Sequence, residues 1–125
     1  FTVAVFGDGA GSYTTNITMR RKLSVQGYTE KATVCELPKG LTAIDELCTH
    51  FSPLGPTNFQ FRLEEGEVKL LEINPRISSS TSLRTAFGYN ECHMAINYYI
   101  YGNLPTQPLI NQGYAVRYTE DMVFI

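Results

Sequence analysis

The stretch Asn58-Phe59-Gln60-Phe61-Arg62-Leu63-Glu64-Glu65-Gly66-Glu67-Val68-Lys69-Leu70-Leu71-Glu72-Ile73-Asn74-Pro75-Arg76 reads as a β-hairpin. Over residues 57–64 apolar and polar side chains alternate: Phe59, Phe61 and Leu63 share one face, Asn58, Gln60 and Arg62 the other. That is the period of a half-buried strand. Glu65-Gly66-Glu67 turns the chain, and residues 68–74 return with Leu71 and Ile73 on the apolar face and Glu72 and Asn74 on the polar one. Pro75 ends the strand, because its ring leaves no N–H for the ladder. Matching the apolar faces sets Gln60 opposite Glu72 and Asn58 opposite Asn74, with 65–67 as the loop. Opposed residues carry Cβ atoms about 4.5–5.5 Å apart, so oxygen donors, one of them anionic, converge from a rigid sheet.

Such a donor set suits Mg²⁺, which takes oxygen ligands and commonly uses one or two carboxylates together with phosphates and water. Arg76, just past Pro75, adds a guanidinium matched to phosphate oxygens. The same alternation also describes an ordinary solvated hairpin face, and taken alone it leaves both possibilities open.

Working outward, Thr2-Val3-Ala4-Val5-Phe6 and residues 13–20 read as strands joined by Gly7-Asp8-Gly9-Ala10-Gly11, with a further short strand near 32–35. Gly7-x-Gly-x-Gly lacks the Lys-Ser/Thr of a phosphate loop and precedes a strand rather than a helix, so a hairpin turn is expected there. A helix is expected from Thr42 as N-cap, with Leu41, Ile44, Leu47, Cys48 and Phe51 at helical spacing up to Ser52-Pro53. The serine-rich segment 78–82 leads into a short helix ending at Gly88. Asn90 then caps a longer helix carrying Cys92, Ala95, Ile96, Tyr99 and Ile100 and stopping at Gly102. Residues 114–118 and 122–125 look like a returning strand or strand pair. The expected class is α+β, an antiparallel sheet with helices on one face.

The chain has 125 residues, room for one domain with one modest core. Its opening on Phe1, already inside a strand, points to residues 1–125 being an excised fragment or a processed product. Ten Lys and Arg against twelve Asp and Glu give a net charge of −2, without the basic excess of a nucleic-acid or membrane-surface binder. Clean apolar runs, such as Val3-Ala4-Val5-Phe6, reach only four residues, too short for a membrane span. Three cysteines at irregular spacing, with no CxxC pair, are expected as free thiols of a cytoplasmic protein. His50 and His93 have no acidic or thiol partner at ligand spacing, and the serines lack a His–Asp constellation. Arg20-Arg21-Lys22 reads equally as an anion contact or as a solvated strand end.

Asn58-x-Gln60-Phe61 followed by Glu72-Ile73-Asn74-Pro75-Arg76 resembles the metal-binding hairpin of the ATP-grasp superfamily, most closely the carbamoyl-phosphate synthetase large-subunit type. Gly55, Gly88-Tyr89-Asn90 and the opening hairpin around Asp8-Gly9 fit in order. The resemblance implies a C-terminal ATP-grasp subdomain that uses ATP and Mg²⁺ (or Mn²⁺). Gln60, Glu72 and Asn74 would be the metal ligands, and Arg76 the catalytic contact to the transferring phosphoryl group or the acyl phosphate. Arg20, Arg21 and Arg84 would contact cofactor or substrate. The implied activity joins a small-molecule carboxylate to an amine or thiol through an acyl phosphate. It needs the N-terminal ATP-grasp half as partner, so 1–125 alone would be inactive. Two alternatives are a non-catalytic binding module built on the same subdomain and a fragment of a carbamoyl-phosphate synthetase large subunit.

Overall fold

Val3-Ala4-Val5-Phe6 lies at the middle of a sheet, covered on both sides. The computed structural model describes all residues except Lys39, Thr119 and Ile125. Its elements run β1 (Thr2–Asp8), β2 (Tyr13–Leu23), β3 (Thr29–Val34), α1 (Thr42–Phe51), β4 (Leu54–Glu64), β5 (Glu67–Asn74), α2 (Thr81–Ala86), α3 (Glu91–Tyr101) and β6 (Tyr114–Val116). The described residues form a six-stranded sheet in the order β5-β4-β1-β2-β3-β6, with every neighbouring pair antiparallel. The α+β class with an antiparallel sheet is as expected.

The helices are not confined to one face. Val3 and Val5 pack with Phe59, Phe61, Leu37 and the Ile44 and Cys48 side chains of α1. Ala4 and Phe6, on the opposite face of β1, pack with Ile17, Met19, Ala32, Val34, Phe87, Tyr89 and Met94 of α3. The cause lies in β1 itself, whose apolar residues do not alternate with polar ones. A strand apolar on both faces needs cover on both.

The glycine-rich stretch is a hairpin turn, as expected. Asp8 Oδ1 accepts the backbone N–H groups of Ala10 at 2.7 Å and Ser12 at 3.0 Å, and these bonds hold its carboxyl below the usual carboxylate range. Gly7 is required by close approach: a Cβ there would lie 2.1 Å from the Pro53 carbonyl oxygen. Helix α1 starts one residue earlier in capping terms than expected, with Leu41 at the N-cap and no side-chain cap bond.

Asn90 does cap α3, accepting the His93 N–H at 3.0 Å, and Gly102 ends it at φ 71°. Its inward stripe differs from the expected one. Glu91 and Met94 are buried and Tyr98 meets Phe6 edge-on at 5.3 Å, whereas Ile96, Tyr99 and Ile100 face outward. β6 ends at Val116, and residues 122–124 form no strand; Ile125, also expected in a strand, lies outside the described residues. Among the described residues no helix is long and apolar enough to cross a membrane.

Two outcomes follow from this packing. Gly7→Ala should cost about 2 kcal/mol or more in a urea titration, because a backbone carbonyl has nowhere to retreat. Burial, reinforced by the charges of Asp45 and Asp8, pushes the Cys48 thiol up to about 11. A short iodoacetamide pulse at neutral pH, read by peptide mass spectrometry, should therefore label the exposed Cys92 and leave Cys48 untouched.

Candidate metal- and phosphate-binding site

The β4–β5 hairpin reaches the expected register at its site end by an unexpected route. Asn58 pairs with Asn74, Phe59 with Ile73 and Gln60 with Glu72. At the tip, however, Glu64 pairs with Glu67, so the loop is only Glu65-Gly66, with φ of 51° and 80°. Two successive positive φ values make a type I′ turn, the form that suits the twist of a two-residue hairpin.

The pairing from the tip sets Phe61 against Leu70 and then slips at Gln60, leaving Leu71 unpaired in a β-bulge. Leu71 is 64% exposed; it does not share the apolar face expected for it. Ile73 and Val68 pack toward the core instead. Without the bulge the tip register would carry Glu72 opposite Phe59, on the α1 side. The extra residue turns Glu72 and Asn74 to the other face.

That face holds a row of polar groups. Gln60 lies opposite Thr2, and Thr2 opposite Met19, with Arg21 two residues further along β2 on the same side. The Gln60 Nε2 amide donates to Glu72 Oε2. Arg21 Nη2 donates to Gln60 Oε1 and Arg21 Nη1 to Thr29 Oγ1 at 3.3 Å, while Thr29 Oγ1 pairs with Ser80 Oγ at 3.0 Å. Asn74 is buried, and its Oδ1 accepts from Arg76 Nη2 at 3.3 Å. Gln60, Glu72, Asn74, Arg76 and Arg21 are thus gathered at one place.

Arg20 is exposed on the opposite face of β2, paired with Thr33. It shares with Arg21, Phe1, Gln60 and Leu71 the wall of a cleft of about 290 Å³. Burial lowers the affinity of the Arg21 guanidinium for its proton, and the nearby charge of Arg84 adds to this, while Glu72 opposes it.

Arg84, expected at the cofactor or substrate, belongs to the interior. It is 0% exposed and forms an ion pair with Glu91 Oε1 at 2.9 Å. Its Nη2 donates to Thr2 Oγ1 at 2.9 Å and to Asn58 Oδ1, and Thr2 Oγ1 donates to Asn58 Oδ1 as well. The guanidinium ties α2 and α3 to the two strands beneath them and offers no surface to a ligand. Glu91 was not singled out from sequence, because an acidic residue in the first turn of a helix reads as a dipole partner in solvent.

Arg84→Met, which strands the Glu91 carboxylate in the core, should lower stability by about 3–5 kcal/mol. Removing both charges, as Arg84→Met with Glu91→Leu, should restore most of that loss in a double-mutant cycle read by denaturant unfolding.

No curated protein matched the chain significantly. A family model described as "ATP-grasp in the biosynthetic pathway with Ter operon" matches residues 1–122, a span that takes in the whole sheet, the bulged hairpin and all three helices. The narrower likeness to carbamoyl-phosphate synthetase is no part of that match. With nearly its full length covered, the chain belongs to this ATP-grasp family of ATP-binding, ligase-type domains.

Proposed function

We propose that this domain supplies the metal- and phosphoryl-handling wall of an ATP-dependent ligase that joins a carboxylate to an amine or a thiol. The observation that carries the proposal is the pairing of Gln60 with Glu72 and of Asn58 with Asn74, with Arg76 hydrogen-bonded to Asn74 beside them. Glu72 offers a carboxylate and Gln60 and Asn74 offer amide oxygens. These are hard donors with a single formal charge, which fits Mg²⁺ or Mn²⁺ completed by phosphate and water. Asn74 holds its side chain in place by burial, and Glu72 stands exposed at the row's end.

In this reading Glu72, Gln60 and Asn74 would hold the cation, which would supply positive charge against the charge that builds in phosphoryl transfer. Arg76 sits where its guanidinium meets the transferring phosphoryl group. Arg20 and Arg21 line the adjoining cleft, where an anionic substrate group fits. A carboxylate oxygen of the substrate attacks the γ-phosphorus and the bond to the ADP oxygen breaks. The amine or thiolate then attacks the acyl carbon, and inorganic phosphate departs. The chain contributes position and charge and needs no nucleophile of its own. The opposite wall of the nucleotide site, with its lysine, comes from an N-terminal ATP-grasp half.

In the intact protein, Glu72→Ala should weaken Mg²⁺-dependent binding of a non-hydrolysable ATP analogue by at least about tenfold and abolish ADP formation. Arg76→Ala should spare binding more and reduce turnover by roughly 10²–10³. Lys69→Ala, exposed on the same strand, serves as the unaffected control. Unimpaired metal-dependent binding and turnover in Glu72→Ala, with the fold intact by circular dichroism, would defeat the proposal.

A further inference from the structure

Of the cationic stretch Arg20-Arg21-Lys22, the metal- and phosphate-binding site makes no use of Lys22. That lysine belongs to the other face of the sheet, where β2, β3 and β6 carry six exposed side chains in two rows. In one row Arg20 pairs with Thr33 and Thr33 with Tyr114; in the other Lys22 pairs with Lys31 and Lys31 with Val116. Every one of these except Val116 can donate a hydrogen bond, and three are cations, in a chain whose net charge is −2. Like charges directly opposite one another on neighbouring strands destabilise the pair, so Lys22 against Lys31 is a cost that the fold does not require. Glu30 Oε2 lies 3.8 Å from Lys22 Nζ, a loose pair at the rim, and among the described residues Lys31 has no ion pair. A cleft of about 270 Å³ is walled by Arg20, Arg21, Lys22, Lys31 and Thr33, with no carboxylate among the described residues that line it.

We propose that this face is a second anion site, for a ligand that carries two linked phosphate groups. It lies on the opposite side of the sheet from Glu72 and stands independently of the ligase reading. Neighbouring strands are about 4.8 Å apart, and residues two apart on one strand about 6.7 Å. One phosphate between the ammonium groups of Lys22 and Lys31 therefore leaves a second within reach of Arg20 and the Thr33 hydroxyl. Arginine's planar fork takes two phosphate oxygens at once, and lysine meets phosphate as a point charge. A single carboxylate would offset only part of the repulsion; a diphosphate uses all three cations. The cleft is near the lower end of the size of small-molecule sites, which favours a compact anion over a macromolecule.

The lysine pair must then act with opposite sign on stability with and without ligand. The test uses the intact protein in low salt with EDTA present, so that no divalent metal takes part. Calorimetric titration with sodium diphosphate is expected to show binding that weakens at least about tenfold in Lys22→Gln and in Lys31→Gln. It should be kept in Lys31→Arg and in Lys69→Ala. ADP and AMP separate the two sources of a diphosphate group. If the phosphate chain of a nucleotide is the ligand, ADP binds with the same dependence on Lys31 and AMP does not; if the free ion is the ligand, neither does. Without ligand, Lys31→Gln should melt about 1–3 °C above wild type, because the repulsion is gone. In saturating diphosphate the order should reverse. Absence of diphosphate binding, binding as tight in both glutamine variants as in wild type, or a melting order that stays the same with diphosphate overturns the proposal. So does binding of a single-stranded oligonucleotide in the absence of any diphosphate binding.

Discussion

Between Gln60 and Phe61 the pairing of β4 with β5 slips by one residue, and the composition of each face of the hairpin depends on that slip. Side-chain parity in a sheet is absolute: one residue of register moves every side chain to the other side. The type I′ turn at Glu65-Gly66 closes the tip most economically, but its register would put Glu72 opposite Phe59 in the apolar layer under α1. The unpaired Leu71 restores parity just before the site. A bulge also bends and twists its strand locally. The hairpin thus satisfies a short-range demand at its tip and a chemical demand at its base with one exposed leucine.

The second determinant is the buried guanidinium of Arg84. A charge with no exposed surface is tolerated only when paired and hydrogen-bonded, and Glu91, Thr2 and Asn58 meet that need. These three partners lie on different elements: β1, β4 and α3. The pair therefore clamps the helical layer against the strand that carries Asn58, the residue opposite Asn74. Arg84 Nε and Glu91 Oε2 have no hydrogen-bond partner among the described residues. Its value lies more in geometry than in net stability, since a hydrophobic replacement of a buried pair often matches it in energy.

The strand pairing at the candidate site was readable in the sequence because it rests on local rules. Alternation over 57–64 and the stop at Pro75 were enough to place Gln60 against Glu72 and Asn58 against Asn74. Asn90 and Gly102 marked their helix ends by capping chemistry. What escaped was decided by packing. No sequence feature distinguishes Leu71 as the bulged residue from its neighbour Leu70, because both are leucines and only the turn register separates them. The stripe of α3 was misassigned because Ile96, Tyr99 and Ile100 are apolar yet face outward, while Glu91 is charged yet faces in. The cover on both faces of the sheet did leave a trace: Val3-Ala4-Val5-Phe6 is a run without alternation, the pattern of a strand buried on two sides.

The arginines show most clearly why residue type alone under-determines a site. Arg20, Arg21 and Arg84 had equal standing as anion contacts, yet their surroundings grade them. Arg20 is solvated on the far face of β2, and solvent screening leaves it a weak, adaptable charge. Arg84 is sealed, and its charge is spent within the core. Arg21 lies between these limits, dry enough for its interactions to be strong and open enough to exchange partners with a cleft. Intermediate burial is the condition under which a cation can give up one acceptor for another at little net cost, because neither state leaves it fully hydrated or fully enclosed. Arg21 is in that condition, bonded to Gln60 and Thr29 at the edge of the cleft.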